Sequence, residues 1–220
     1  MKKSKVTKLL ILAAILTLPG FFYYLLQLKG KNRYKPLPIY GKHTISSSKQ
    51  FFEQQLVDVS LVASTEKSFH LFDLKNKIIV VQLFFVNCHT VCEKTTQAMS
   101  SIAKNFQGNR MIQLLSVSVD PVHDTPLVLR RYAASYSNYS NGWMWVTGQK
   151  KDVFNFVKKG LLLDVHENSG TIIHSSLLVL LDSKFRIRSY CDPMLRTAVE
   201  KFNDEIKVLI VEELRERTKL

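Results

Sequence analysis

Cys88 and Cys92 stand four residues apart in the run VVQLFFVNCHTVCEKTTQAMSSI. Upstream, residues 77–86 (KIIVVQLFFV) are almost continuously apolar, β-branched or aromatic, the pattern of a central strand covered on both faces. Downstream, Val91, Thr95, Ala98, Met99, Ile102 and Phe106 recur at helical spacing. Cys92 therefore belongs to the first turn of a helix, and Cys88 to the strand-to-helix junction. A helix N-terminus carries partial positive charge, which favours thiolate over thiol. An ordinary thiol of pKa about 8.5 is only a few per cent ionised at neutral pH, so such a shift changes reactivity.

Residues at i and i+4 project from one helical face about 5–6 Å apart. Two thiolates so placed can hold one soft ion between them, whereas a redox dithiol more often has the C-x-x-C spacing. Thiolates select Cu(I) or zinc, and imidazole suits both copper and zinc. A third donor must come from elsewhere, and His174 is the candidate. It is read at the start of a strand, Ser175–Leu181, after a loop over 161–172 that can bend over the helix N-terminus. Two sulfurs and one nitrogen make a three-coordinate site that suits Cu(I) and accommodates Cu(II). His43, His70, His123 and His166 are read as ordinary polar residues, as is His89, which lies between the cysteines.

The elements that must position these groups follow one another from about residue 51. Phe51–Val62 and Ser68–Leu71 are weak strand candidates. After the strand at 77–86 and the helix at about 90–106 comes a second apolar strand, Met111–Val119. Thr125-Pro126 supplies a capping hydroxyl and a proline for the first helical position, opening a helix to about Ser137. Trp143–Thr147 is a third strand and Lys150–Lys158 a short helix. Ser175–Leu181 and Lys184–Tyr190 form a hairpin around Asp182-Ser183. Asp192-Pro193 caps a last helix, with Leu195, Ala198, Val199, Phe202, Ile206, Leu209, Ile210 and Leu214 on its apolar face. The order β-α-β-α-β-(α)-β-β-α predicts an α/β fold, a thioredoxin-like central sheet flanked by helices. Chemistry in such a sheet belongs at the carboxyl ends of its parallel strands, where the cysteines fall.

The chain has 220 residues. Residues 1–8 form a short basic tail, and residues 9–28 (LLILAAILTLPGFFYYLLQL) carry no charge and suffice for a transmembrane anchor, which Pro19 should kink. A cleavable signal peptide is the alternative, but no small-x-small site follows. Lysines and an arginine flank the stretch on both sides, so the positive-inside count is close to a draw, tipped toward a cytoplasmic N-terminus. Residues 29–50 read as a tether and 51–220 as the folded domain. Ten of the basic residues precede Glu53, the first acidic one, so the remainder holds only +3 of the net charge of +13. Basicity concentrated around an anchor suits anionic headgroups and argues against a nucleic-acid footprint on the domain. Three cysteines divide into one pair and a single, Cys191, read as a half-buried structural thiol with a redox partner role as the alternative.

The run FFVNCHTVC with its helix, SVSVDPVHDTP with a helix after it, WVTG, and a late His before an apolar strand together resemble the Sco/SenC copper chaperones. RIRSYCDP and the segment KGKNRYKPLPIYG are similar to membrane-anchored bacterial members. The resemblance implies a thioredoxin-like domain on the periplasmic side of a bacterial inner membrane. It also implies copper ligation by Cys88, Cys92 and His174, one ion per chain, delivered to the copper-bearing subunit of cytochrome c oxidase or another copper-accepting protein. Asp120 and Asp124 match a D-P-x-x-D-T run, and their plain role is hydrogen bonding at a strand end. Two positions depart from the family: His89 replaces a proline after the first cysteine, and Ile173 an aspartate before the metal histidine. Loss of a carboxylate that orients a ligating imidazole commonly weakens affinity by roughly 10–100-fold. Two other functions fit the same residues: a thiol–disulfide reductase acting through Cys88 and Cys92 on an exported client, and a degenerate member that holds a partner by its surface.

Overall fold

The computed structural model describes residues 2–29, 36–41, 54–55, 57–88, 91–136 and 142–218. It divides into two compact units, Met1–Lys35 and Pro36–Leu220. The first holds one helix, α1 (Lys2–Lys29), which runs through Pro19. Most of its described apolar side chains, among them Ile11, Leu12, Ile15, Leu16, Phe21 and Phe22, are exposed. Among the described residues, no helix is long and apolar enough to cross a membrane.

In the second unit, β1 (Ser60–Ala63) and β2 (Ser68–His70) lead to β3 (Ile78–Phe84), α2 (Val91–Asn105), β4 (Ile112–Ser118), α3 (Pro126–Ala134) and β5 (Trp143–Gly148). Then come α4 (Lys150–Asn155), β6 (Val165–Asn168), β7 (Thr171–His174), β8 (Leu178–Leu181), β9 (Ile187–Cys191) and α5 (Arg196–Thr218). Seven strands form a mixed sheet in the order β2-β1-β5-β4-β3-β8-β9, and β6 pairs with β7 separately. β3, β4 and β5 are parallel; the strands outside them pair antiparallel.

Alternation along β3 divides the core. Ile79, Val81 and Leu83 enter one apolar cluster, with Val153 of α4 and Phe156. Ile78, Val80 and Phe84 enter the other, with Met99 and Ile102 of α2, Leu129 of α3, and Phe202, Ile206 and Leu209 of α5. Both crossover helices, α2 and α3, thus cover one face, as two successive same-handed crossovers require. Gln82 breaks the apolar run of β3 and is fully buried, but it is satisfied. Its Nε2 donates to Thr96 Oγ1 of α2 at 2.7 Å, and its Oε1 accepts from Ser116 Oγ of β4 at 3.1 Å. Ser116 Oγ in turn accepts from Trp143 Nε1 of β5 at 2.8 Å. This buried chain ties three strands to α2 one turn beyond Cys92.

Four expectations are corrected. Residues 161–172 are not all loop: β6 and β7 make a hairpin, and Ser169-Gly170 at its tip both have positive φ (49° and 79°), the geometry of a tight hairpin turn. Its strands are short and largely exposed, so no apolar alternation marked them. His174 consequently ends β7 rather than starting β8. Leu195 and Leu214 are exposed rather than on the packed face of α5, because the helix begins at Arg196 and its buried stripe runs Phe202, Asn203, Ile206, Leu209 and Glu213. Pro36–Gly41, within the stretch read as tether, is held on the sheet edge. Tyr40 N–H donates to the Ile187 carbonyl at 2.9 Å, and Leu37 N–H to Glu212 at 2.7 Å.

Candidate metal centre

β3 ends at Phe84 and the chain turns through Phe85–Cys88, closed by a bond from Cys88 N–H to the Phe85 carbonyl at 3.1 Å. Asp124 fixes this turn from the neighbouring loop. Its carboxylate accepts from Val86 N–H at 3.1 Å and from Ser118 Oγ at 2.5 Å. The group is 1% exposed, and burial raises its pKa above the usual carboxylate value, against the lowering effect of those bonds. Asp120 N–H donates to Ser118 Oγ at 3.1 Å, and the Asp120 carboxylate meets His123 Nδ1 at 2.8 Å. Both aspartates therefore organise the loop beside the cysteines.

Cys88 and Cys92 are joined as a disulfide with their Cα atoms 5.9 Å apart. Cys92, the second residue of α2, is 1% exposed, and Cys88 is half-buried. His174 arrives from the β6–β7 hairpin, whose base is fixed where Ser175 N–H donates to the Asp164 carbonyl at 3.0 Å. Its Nε2 lies 3.7 Å from Cys92 Sγ, and its Nδ1 lies 2.8 Å from the Ser175 carbonyl oxygen. That carbonyl can only accept, so Nδ1 carries the proton and Nε2 turns its lone pair to the sulfurs. Burial lowers the His174 pKa, an effect partly countered by the bond to Ser175. Phe85 packs edge-on against it, centroids 5.7 Å apart. The two sulfurs and the imidazole nitrogen all lie within 4.8 Å of one another. Reduction of the disulfide frees two sulfurs that bind as soft thiolates, and the imidazole adds a nitrogen lone pair; the set fits Cu(I) and zinc. A groove of about 380 Å³ opens beside them, lined by Phe85, Asn87, Val122, Lys150 and Ile172 among others.

The structure thus brings together all three residues singled out as donors. His43 and His89 lie outside the described residues. His70, His123 and His166 are exposed and pair with Asp58, Asp120 and Asp164. Cys191 is not half-buried but 2% exposed, inside the α2–α5 core, and its pKa is pushed up to about 12 by burial and then by Asp192 and Glu205. A thiol held so firmly protonated is a poor redox partner. Sequence reasoning missed Phe85 and Ser175. The former is one aromatic in an apolar run; the latter acts through its backbone, which leaves no side-chain signature.

A mixed α/β sheet with a cysteine pair at its first crossover junction, faced by an imidazole, defines a thioredoxin-like domain with a Cys-Cys-His centre. The sequence pattern of the SCO1/SenC family matches residues 49–210, and the chain belongs to that family. It is 29% identical over 119 residues to the SCO1 protein homolog of Bacillus subtilis, a match covering 52% of this chain and 62% of that protein, less than two thirds of its length. A SCO1/SenC family lipoprotein from Bacillus anthracis superposes with a TM-score of 0.66 and 26% identity, over 71% of this chain and 95% of that one. BsSco, described by a disulfide switch and as one of the Sco cytochrome c oxidase assembly proteins, gives 0.62 at 24% identity over 70% and 92%. Bradyrhizobium japonicum ScoI with copper bound gives 0.58 at 20% over 69% and 98%. The last two likenesses establish the fold.

Proposed function

We propose that this chain is a membrane-tethered copper carrier. In its reduced form it takes up one copper ion as cargo at Cys88, Cys92 and His174, and passes it to a copper-accepting protein in cytochrome c oxidase assembly. The observation that carries the reading is the convergence of two sulfurs and Nε2 within 4.8 Å, with Nδ1 already tied to Ser175. The Ser175 carbonyl supplies the orienting contact that an aspartate at position 173 would otherwise make, so Ile173 does not disqualify the ring. Copper in the relative from Bradyrhizobium and the oxidase-assembly role of the Sco family support the cargo and the recipient. Half-exposed Cys88 is the donor an acceptor reaches first, and ligand exchange there starts the transfer.

Residues 9–28 are read as the anchor and residues 29–35 as the connection, the folded unit beginning at Pro36. The uncharged stretch lies within α1, and its described side chains are mostly apolar and exposed, as lipid contact requires. The relative from Bacillus anthracis is a lipoprotein, a membrane-bound form reached by another route. The folded unit is assigned to the periplasmic side of a bacterial inner membrane.

The Cys88–Cys92 disulfide favours a second reading, a thiol–disulfide reductase. Reduced Cys88 would attack a client disulfide, forming a mixed disulfide and releasing one client thiolate. Cys92 would then attack Cys88 Sγ, closing the internal disulfide and releasing the second. Titration of the reduced chain with Cu(I) separates the two. The carrier requires one ion per chain and marked loss of binding in Cys88→Ser, Cys92→Ser and His174→Ala. Rapid exchange with oxidised glutathione without copper uptake would identify the reductase.

A further inference from the structure

The end of the folded unit remote from the cysteines has its own chemistry. β3 and β4 run parallel, so their first residues lie at the end opposite Cys88. Lys75 and Lys77 precede β3 and Arg110 precedes β4; Lys77 Nζ donates to the Arg110 carbonyl at 2.5 Å. The turn between β8 and β9 joins them, because Asn76 N–H donates to the Ser183 carbonyl at 3.4 Å. The end of α5 joins as well, with Arg217 donating to the Asn76 carbonyl at 2.7 Å and Glu216 pairing with Lys184 at 2.8 Å. Lys75, Arg110, Lys184, Arg215 and Arg217 are exposed, with Asp73 and Glu216 as the exposed counter-charges. An open depression of about 460 Å³ lies between Lys77, Asn109, Arg110 and Gln113. Around the cysteines the signs are mixed, Glu93, Asp120 and Glu167 standing against Lys94 and Lys150.

Two further observations say what this basic end meets. The chain joins the folded unit beside it: Leu37 N–H bonds Glu212, one turn before Arg215 of α5, and Arg188 Nη2 holds the Leu37 carbonyl at 2.7 Å. Leu214, 48% exposed, immediately precedes Arg215 near the end of α5, an apolar side chain suited to a lipid interface. We infer that this end docks on anionic phospholipid headgroups and holds the Cys-Cys-His centre on the far side of the domain. The seven residues of β3 alone set the two ends roughly 23 Å apart. An acidic protein would meet the same cations, but neither the point of chain entry nor the exposed leucine would then have a role. The inference rests on the anchor reading, since the anchor brings the domain to a bilayer.

The test uses the full chain in nanodiscs of phosphatidylglycerol or of phosphatidylcholine, with single-hit lysine acetylation read by mass spectrometry. Lys75, Lys77 and Lys184 should react about fivefold more slowly in the anionic discs, as headgroup attraction requires. Lys94 and Lys150 should be unchanged. Protection should vanish at about 1 M salt, where the screening length is about 3 Å. It should also vanish at Lys184 in the Lys75→Glu/Arg215→Glu chain. Equal rates in the two lipids, or protection of Lys94 and Lys150 instead, overturns the inference while leaving the anchor intact. A chain that leaves the discs at high salt overturns the anchor reading, and this inference with it.

Discussion

Replacing Asp124 by alanine tests whether a buried carboxylate holds the cysteine turn. The change orphans two donors, the fully buried Ser118 Oγ–H and the partly buried Val86 N–H. Each buried unsatisfied group costs about 1–3 kcal/mol. Removing a carboxylate that burial makes hard to ionise returns part of this, so a net loss of about 2–4 kcal/mol is expected. Asp124→Asn keeps an acceptor for Val86 and should cost about 1 kcal/mol. The pH dependence gives an independent readout. The native carboxyl ionises above its ordinary value of 3.8, so the folded chain holds its proton longer than the unfolded one. The contribution to stability therefore falls as pH rises from 3.8 through the native pKa, then levels off. Asp124→Asn should lack that segment of the profile. Urea denaturation of the full chain in detergent, at several pH values, measures both effects. An alanine variant within about 0.5 kcal/mol of the parent, the usual range of neutral surface changes, would refute the pinning argument.

The remaining predictions concern the core and the thiols. Gln82→Leu leaves the buried Ser116 Oγ–H without its acceptor and Thr96 Oγ1 without the Gln82 donor, and should cost about 1–3 kcal/mol, visible as a lower Tm; an unchanged Tm would deny the buried chain any structural role. After reduction, iodoacetamide should label Cys88 first, and Cys191 only on unfolding; native labelling of Cys191 would contradict its burial. His174 has a depressed pKa, so the unfolded chain gains a proton first as pH falls below 6.5, and stability drops through that window. His174→Gln should flatten this segment, and an NMR titration of the ring at or above the ordinary value would refute the cause.

Much of the sheet and the donor set was legible because burial on both faces and helical periodicity leave strong marks. The run 77–86 and the spacing Val91-Thr95-Ala98-Met99-Ile102 placed β3 and α2 to within two residues. Thr125-Pro126 located α3, where Thr125 Oγ1 accepts from Val128 N–H. The β6–β7 hairpin was hidden because its register is set by a two-residue turn and a backbone hydrogen bond at its base rather than by a core face. What aims His174 was hidden for a related reason: the Ser175 carbonyl is backbone, and which carbonyl it is depends on the hairpin. Gln82 looked like an exception to an apolar strand, and only its partners on α2 and β4 explain it.

X-ray absorption of the reduced, copper-loaded chain is the direct test of the centre. Two sulfurs and one imidazole per copper are expected, with the imidazole signature lost in His174→Ala and one sulfur lost in each cysteine variant. A copper environment without imidazole in the parent chain, or one unchanged by His174→Ala, would contradict the proposed site.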